Sequence, residues 1–179
     1  MLINKKILVC GSGPSLPGQL KNIDLSDFFV VRINFWEKIN GYDNKCDAWA
    51  FYPYFQGDFK PYLEKAKHIW MPHYGFHDEC KRITGITPSY TITKQETKKF
   101  HQLVGHKNPT SGAVVIYMAT LLEPDVYIAG FDFSKGDKGY YWSDKKPSAD
   151  GIEHHKQWFE EKWVNKQIET KQIFKLGTT

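Results

Sequence analysis

The stretch that decides the fold stands near the start of the chain and reads Lys5-Lys6-Ile7-Leu8-Val9-Cys10-Gly11-Ser12-Gly13-Pro14-Ser15-Leu16. A short apolar run, closed abruptly by a glycine-rich turn, predicts a buried first strand that ends at a ligand site. Gly11 and Gly13 can adopt a positive φ and let backbone amides approach a ligand. Ser15 can cap a following helix or donate to a phosphate at its N-terminus. Open α/β sheets form nucleotide-binding crevices in this way.

The glycine turn departs from both common phosphate-binding motifs. The third glycine of the dinucleotide fingerprint is missing, and Pro14 stands inside the turn. No Gly-Lys-Ser or Gly-Lys-Thr follows, so the turn is not a P-loop. The turn taken alone therefore leaves a plain strand-to-helix connection open as well.

The length and composition of the chain limit which classes of protein it can belong to. A chain of 179 residues suits one domain spanning 1–179 with a proper hydrophobic core. The net charge is +4 and the basic residues are scattered, which gives nucleic-acid binding little support. A mildly basic surface fits a phosphate-bearing substrate or an anionic membrane face equally well.

Cysteine usage and hydropathy indicate the compartment. Cys10, Cys46 and Cys80 are odd in number and widely spaced, which predicts buried, reduced thiols rather than disulfides. We find no apolar run of signal-peptide or bilayer-spanning length. We therefore expect a cytoplasmic protein, which could rest on the inner face of a membrane.

Apolar segments alternate between strand-like and helix-like patterns along the chain. The predicted strands are 28–34, 46–52, 68–71, 126–130 and 172–176, and the predicted helices are 94–104, 111–122 and 152–168. This alternation predicts an α/β fold with a single doubly wound, mainly parallel, Rossmann-like sheet. The segment 132–155 is rich in Gly, Ser, Lys and Tyr and is the candidate for a short lid.

Polar clusters follow four of the predicted elements at the sheet edge where parallel strands end. Their members are Gly11, Ser12, Gly13, Pro14 and Ser15; Arg32 and Asn34; Thr110, Ser111 and Gly112; and Gly130, Phe131 and Asp132. Thr110 and Ser111, at a helix N-terminus, offer hydroxyls and amides to an anion, or simply cap the helix. Asn34 can bind a base or sugar edge, or satisfy a turn. Asp132 can likewise line the site, or simply cap a helix or form an ion pair.

The blocks 11–16, 32–34, 109–112 and 126–133 together resemble the bacterial sialyltransferases of glycosyltransferase family 42. They are more distantly similar to the animal-type sialyltransferases of family 29. The order of the blocks matches over most of the chain, although 52–110 has no clear counterpart and the chain is shorter than typical members. The resemblance implies inverting transfer of sialic acid from CMP-sialic acid to a sugar hydroxyl of a cell-surface glycan, as in lipopolysaccharide biosynthesis. It implies no cofactor and no metal, and no Asp-x-Asp motif occurs.

The resemblance also implies roles for the polar clusters. The 11–15 turn and Asn34 would hold CMP, 110–112 would contact the donor sugar and its carboxylate, and 130–132 would line the nucleotide pocket. Tyr140 and Tyr141 of the lid would hold the departing phosphate.

The resemblance implies that a histidine near the C-terminal part of the chain takes the acceptor proton, and here that residue would be His154 or His155. The pKa of an imidazole suits this role near neutral pH. We favour His155, because Glu160 follows it at the spacing of a motif in the animal-type enzymes. His155 also shares a predicted helix face with Phe159 and Trp163.

Other interpretations stay open. The same motifs would serve a CMP-Kdo-dependent Kdo transferase, because the two donors share nucleotide and anomeric carboxylate. A non-catalytic nucleotide-binding protein of polysaccharide assembly would keep the crevice and lose the chemistry. A zinc site at His73, His77, Asp78 and Cys80 has no standard spacing, and a surface loop is the simpler interpretation of that segment. Acceptor contacts are expected in the aromatic loops 53–60 and 71–81.

Overall fold

The computed structural model describes residues 5–34, 36, 44–53, 58–133 and 157–177. Seven strands of the described chain form one sheet in the order β5-β4-β3-β2-β1-β6-β7, and every neighbouring pair is parallel. The strands are β1 Lys6–Cys10, β2 Phe28–Ile33, β3 Ala48–Ala50, β4 His68–Met71, β5 Tyr90–Thr91, β6 Val126–Ala129 and β7 Ile173–Lys175. The predicted parallel α/β architecture is confirmed.

Helices connect and cover these strands. Among the described residues they are α1 Leu16–Gln19, α2 Lys60–Leu63, α3 His77–Thr84, α4 Lys94–Val104, α5 Ser111–Leu122 and α6 Gln157–Glu169, with a 3₁₀ turn at Leu25–Asp27. Helix α4 begins with a capping box between Thr93 and Glu96 and ends at Gly105 in the left-handed conformation. Helix α5 begins after Thr110, whose side chain accepts a hydrogen bond from the amide of Ala113.

The order of the strands creates one switch point in the sheet. The chain moves outward from β1 through β2, β3 and β4 to β5, and then returns to place β6 on the other side of β1. Cys10 is paired with Arg32 on one side and with Ala129 on the other. In sheets of this kind ligands bind beyond the carboxyl ends of the strands that flank the switch point, here β1 and β6.

The core lies on both faces of the sheet. Helix α5 is buried from Ala113 through Ala119 and packs against a cluster that includes Val9, Val31 and Ile128. On the opposite face a second cluster joins β1 and β2 to α1, and a third gathers around Trp49. Because both faces are covered, the strands are continuous apolar runs rather than alternating ones, as buried parallel strands require.

Most predicted elements are found. Strand β3 covers 48–50 rather than the predicted 46–52, and α2, α3 and β5 were not predicted. The strand at 68–71 and the helices at 94–104 and 111–122 have the predicted bounds. The segment 77–84, predicted as part of a loop, is helix α3, and the short strand β5 was missed. Both escape pattern analysis because α3 buries only Cys80 and β5 has two residues. The described part of the last helix covers Gln157–Glu169, and 152–156 lie outside the described residues.

The three cysteines are free and buried, as predicted. Within the described ranges, no helix combines the length and the apolar character that crossing a bilayer demands.

Candidate active site

The glycine turn after β1 is tied to the segment that follows β6. The amide of Gly13 donates to the carbonyl of Gly130 over 2.8 Å, and the amide of Ser15 donates to Oδ2 of Asp132 over 3.0 Å. The amide of Gly130 donates in turn to Oε1 of Gln19 in α1 over 2.7 Å. Two predicted clusters, 11–15 and 130–132, therefore form one hydrogen-bonded unit at the switch point.

The glycines of this turn are needed for a different reason from the one the sequence suggested. Neither Gly11 nor Gly13 adopts a positive φ, whereas Gly130 does, at +71°. A Cβ at Gly11 would lie 2.4 Å from the carbonyl oxygen of Gly130, and one at Gly13 would lie 2.1 Å from Oδ2 of Asp132. The two positions thus exclude side chains because the neighbouring segment approaches closely, and the expected positive φ is wrong.

Ser15 also differs from its expected role as a helix cap. Helix α1 is a single turn, and the side chain of Ser15 makes no capping hydrogen bond because its backbone is already helical, at φ −73° and ψ −17°. Its Oγ is instead buried with no hydrogen-bond partner in the described chain. A buried hydroxyl without a partner is costly unless something else satisfies it. Ser15 therefore supplies an unsatisfied polar group to the turn.

Phe131 brings the N-terminus of α5 to the same place. Its ring carbons lie 3.3 Å from the position of a Cβ on Gly11 and 3.1 Å from that of a Cβ on Gly112. Ile33, at the end of β2, lies 3.9 Å from the Gly112 position. Phe131 therefore lies next to both the 11–15 turn and the start of α5, and Ile33 brings the end of β2 near the same helix start.

Glu160 holds the N-terminus of α5 in place. Its Oε1 accepts from the amide of Thr110 over 2.6 Å, and its Oε2 accepts from the hydroxyl of Thr110 over 2.7 Å. Because the hydroxyl of Thr110 also accepts from Ala113, the polar groups of this residue are committed within the protein. The amides of Ser111 and Gly112 are then the donors that remain in the first turn of α5.

Glu160 is 1% exposed, so its carboxyl lies in a setting that disfavours its charge. Burial raises its pKa to about 7, although the two hydrogen bonds from Thr110 act in the opposite direction. Nε2 of His106 lies 3.7 Å from Oε1 of Glu160. The contact of Glu160 in α6 with Thr110 at the start of α5 therefore contains a carboxyl whose pKa lies near neutral pH.

Asn34 links the ends of two strands. It adopts a left-handed backbone with φ of +53°, which asparagine tolerates better than most residues. Its Oδ1 accepts from the amide of Tyr52 over 3.3 Å, and its carbonyl accepts from the indole of Trp49 over 2.7 Å. The carboxamide NH₂ is the remaining donor of this side chain at the edge of the sheet.

Arg32 lies under the site rather than in its opening. It is 1% exposed, and its Nε donates to the carbonyl of Lys45 over 3.3 Å. The guanidinium carbon lies 5.1 Å from the centre of the Trp36 ring. Its two terminal nitrogens have no hydrogen-bond partner among the described residues. The structure thus gives Arg32 one hydrogen bond and one ring contact, and its role as a binding residue stays a prediction.

His73, which the sequence suggested only as a zinc ligand or as part of the 71–81 loop, joins the site. Its Nε2 lies 2.9 Å from Oγ of Ser111, and its ring centre lies 5.0 Å from that of Tyr52. The residues weighed as zinc ligands do not gather, since His77 contacts Asp78 on the exposed start of α3 while Cys80 is buried beneath it. In the described ranges no group of three or more His, Cys, Asp or Glu side chains could hold a metal ion.

A cavity of about 140 Å³ opens beside this unit. Phe131, Asp132 and Phe133 line it from the end of β6, and Asn165 of α6 and Lys175 of β7 complete much of the wall. Its lining combines aromatic rings with charged and amide groups, the mixture that sugar-binding sites use.

The predicted catalytic residues Tyr140, Tyr141, His154 and His155 lie outside the described residues, as does most of the predicted lid. Three residues that contact the predicted site were not assigned to it from the sequence, namely Gln19, His73 and Glu160. A signal existed for two of them: His73 follows the end of β4, and Glu160 stands five residues after His155.

The sequence matches no protein-family model, and no curated protein matches it significantly. Solved structures do match. The sialyltransferase CstII from Campylobacter jejuni, in complex with the substrate analogue cytidine-5'-monophosphate, has a TM-score of 0.62 and 21% identity, and the alignment covers 97% of this chain and 80% of that chain. The same enzyme with CMP-3FNeuAc has a TM-score of 0.59 and 20% identity over 96% of this chain and 81% of that chain.

A mammalian sialyltransferase in complex with Gal-beta-1-3GalNAc-ortho-nitrophenol has a TM-score of 0.61 and 19% identity, over 96% of this chain and 69% of that chain. Bacterial and mammalian enzymes thus match nearly the whole length of this chain. The chain therefore has the fold of the sialyltransferases.

Proposed function

We propose that this protein transfers sialic acid from CMP-sialic acid to a sugar hydroxyl of a glycan, with inversion at the anomeric carbon and without a metal. The observation that carries the proposal is the contact of Phe131 with both the 11–15 turn and the start of α5 in a sialyltransferase fold. The similar structures contain CMP, a CMP-sugar analogue and a disaccharide derivative. These ligands support a nucleotide-sugar donor and a sugar acceptor.

The donor would lie across the switch point. Ser12 and the buried, unpartnered Oγ of Ser15 would donate to the phosphate of CMP, and the carboxamide of Asn34 would bind the nucleoside. The amides of Ser111 and Gly112, at the N-terminus of α5, would bind the carboxylate of the sugar, where the helix dipole favours negative charge. Gly130 and Asp132 would act by holding the turn in shape.

The reaction is a displacement in which the acceptor oxygen bonds to the anomeric carbon as the bond from that carbon to the CMP phosphate oxygen breaks. His155, or else His154, would take the proton of the acceptor hydroxyl, and Tyr140 and Tyr141 would donate to the departing phosphate. Glu160 supports the assignment of the base to His155, because it stands five residues later in the sequence. Its carboxyl is bound to Thr110, next to the proposed carboxylate site.

The acceptor would enter from the side of the cavity next to Asp132. A sugar ring can stack on Phe131 or Phe133 while its hydroxyls bind Asn165 and Lys175. Since the cavity shares Phe131 and Asp132 with the nucleotide side, an acceptor there would lie close to the donor.

The first test is a calorimetric titration with CMP, followed by assays of CMP release from CMP-sialic acid and CMP-Kdo, with a galactoside acceptor and with EDTA present. We expect CMP to bind, CMP-sialic acid to be consumed in EDTA, and the product to have the inverted anomeric configuration by NMR. The Ser12→Ala variant should bind CMP about tenfold more weakly, the loss expected for one hydrogen bond to a charged group. Ser26→Ala, in the 3₁₀ turn before the amino end of β2, is the matched control and should bind CMP as tightly as the parent.

Each alternative predicts a distinct result. Consumption of CMP-Kdo but not of CMP-sialic acid would reassign the donor. CMP binding with no turnover of either donor would indicate a non-catalytic nucleotide-binding protein. Absence of CMP binding, or equal losses in Ser12→Ala and Ser26→Ala, would contradict the proposed nucleotide site.

A further inference from the structure

His73 contacts the first residue of α5, where the candidate donor site begins. It follows Pro72 at the carboxyl end of β4, and its Nε2 lies 2.9 Å from Oγ of Ser111, the first residue of α5. We propose that His73 is a positioning residue that makes the Ser111 hydroxyl a hydrogen-bond donor to the donor sugar's carboxylate. The inference rests on the proposed function and adds to it a residue that selects acidic sugars.

The argument depends on which atom carries the hydrogen between the two side chains. A serine hydroxyl has one hydrogen and two lone pairs, and a neutral imidazole has one N–H and one acceptor nitrogen. If Nε2 of His73 carries the hydrogen, it donates to Oγ of Ser111, and the hydroxyl hydrogen must point elsewhere. Ser111 then presents its O–H beside the amides of Ser111 and Gly112. These three donors together match a carboxylate, which accepts several hydrogen bonds and donates none.

Neighbouring rings hold the imidazole in this orientation. The ring of His73 lies edge-on to Tyr52, with centres 5.0 Å apart at 66°, and edge-on to Phe76, with centres 6.1 Å apart at 85°. Tyr52 and Phe76 also pack edge-on to each other, at 6.0 Å. The amide of Tyr52 donates to Oδ1 of Asn34, which joins this group of rings to the end of β2. The imidazole is therefore packed against the ends of β3 and β4 rather than presented from a free loop.

The direction of the Ser111 hydroxyl decides whether it can donate to a ligand. Helix α5 is anchored on its other side by Glu160, which binds Thr110 and not Ser111. Without His73 the Ser111 hydroxyl would have three staggered orientations open to it, and only some of them would direct its hydrogen to a ligand. A neutral sugar carries no carboxylate at its anomeric carbon, so the oriented hydroxyl favours acidic donors in particular.

The test compares two ligands on four variants. CMP-3FNeuAc carries the carboxylate and CMP does not, so the ratio of their dissociation constants isolates the contribution of the sugar. We expect His73→Leu and Ser111→Ala each to weaken CMP-3FNeuAc about tenfold and CMP less than twofold. The double variant should be no weaker than either single one, and His73→Gln, whose amide N–H can replace Nε2–H, should bind within about threefold of the parent.

The chain offers a matched control at the other end of the same strand. Nδ1 of His68 lies 3.2 Å from Oγ of Ser89 on the exposed amino side of β4. His68→Leu and Ser89→Ala remove a pair of the same kind and should leave both dissociation constants unchanged. Equal losses for CMP and CMP-3FNeuAc in His73→Leu, additive losses in the double variant, or failure of His73→Gln to bind while it melts like the parent would each overturn the inference.

A second measurement separates this inference from the proposed function. Long-range ¹H–¹⁵N spectra of the ligand-free protein report which ring nitrogen of His73 carries hydrogen. We expect Nε2 to be protonated, and its signal to move in Ser111→Ala. A hydrogen on Nδ1 alone would overturn the inference even if CMP-3FNeuAc binds. Absence of binding of both ligands to the parent protein would instead defeat the proposed function, and the inference with it.

Discussion

At the residue scale, the site depends on a few side chains that reach across long stretches of sequence. Glu160 reaches Thr110, 50 residues earlier, and Asp132 reaches Ser15 across 117 residues. Each of these carboxylates accepts from a backbone amide at the start of a helix, and each fixes a segment that would otherwise be a loop. They determine the shape of the site without themselves being exposed groups.

Glu160 makes the stability of the protein depend on pH. Because burial raises its pKa from 4.5 to about 7, the folded state holds its proton more tightly than the unfolded state does. The resulting contribution is complete below pH 4.5 and is lost as the pH rises through about 7. We expect the free energy of unfolding to fall by roughly 3 kcal/mol over this range. In Glu160→Gln, which mimics the protonated acid, that fall should be absent, as measured by urea unfolding between pH 5 and 8.

His106 requires a control in this experiment. Protonated His106, 3.7 Å from Glu160, would favour the ionised carboxylate and so act in the opposite direction. The pair should therefore be measured in a His106→Gln background as well. A parent protein whose stability rises across this pH range in both backgrounds would contradict the role given to Glu160.

At the scale of elements, two neighbouring helices begin in different ways. Helix α4 closes its own N-terminus through the reciprocal hydrogen bonds of Thr93 and Glu96, which are three residues apart. Helix α5 starts at Thr110, but the amide of Thr110 is satisfied by Glu160 of α6. The start of α4 is thus a local structure, whereas the start of α5, which borders the site, exists in its observed form only when α6 is docked.

The cap of α4 provides a test that should not affect the site. Thr93→Ala removes the hydroxyl that accepts from the amide of Glu96, and we expect it to lower the free energy of unfolding by about 1 kcal/mol. Thr97→Ala, one turn later, removes a hydroxyl that donates to the carbonyl of Thr93 but caps no amide. It is the control and should change stability by less than about 0.5 kcal/mol. Both are measured by urea unfolding. A larger loss in Thr97→Ala than in Thr93→Ala would show that the capping box does not stabilise α4.

At the scale of the whole molecule, the sheet is covered on both faces, and its three cysteines lie in the clusters opposite α5. Cys10 is in the cluster at β1 and β2, whereas Cys46 and Cys80 are in the cluster around Trp49 near the β5 edge. Burial raises the pKa of all three thiols, that of Cys46 to about 12. Both the lack of access and the low fraction of thiolate should make them unreactive in the folded protein.

Thiol labelling therefore reports the order in which parts of the fold unfold in urea. We expect none of the three cysteines to react with a maleimide at pH 7 in the folded state, and all three to react in urea. At intermediate urea, Cys80 should react first, because α3 lies at the edge of the sheet, and Cys10 last, because β1 is paired on both sides. Mass spectrometry of labelled peptides measures the order. Labelling of Cys10 before Cys80 would contradict the view that β1 lies in the most stable part of the fold.

Patterns within short stretches of sequence were sufficient to predict the sheet. The apolar runs at β1, β2 and β6, the glycine turn and the buried stretch of α5 are local signals, because strand and helix periodicities depend on neighbours only a few residues away. Because the strands are parallel, the sequence also predicted that their carboxyl ends would share one edge. Helix α3, which buries a single residue, and β5, which has two residues, left no such signal.

What the sequence determined by itself is the class of fold and the set of strand ends that meet at its switch point. What only the tertiary structure decided is which groups at that edge are available to a ligand. Thr110, Oδ2 of Asp132 and the amide of Gly13 are committed to partners inside the protein. Gly11 and Gly13 lack side chains because 130–132 crowd them, and His73 reaches Ser111. The physical reason is that a hydrogen-bond partner depends on register and packing between segments distant in sequence, and no local pattern encodes those distances.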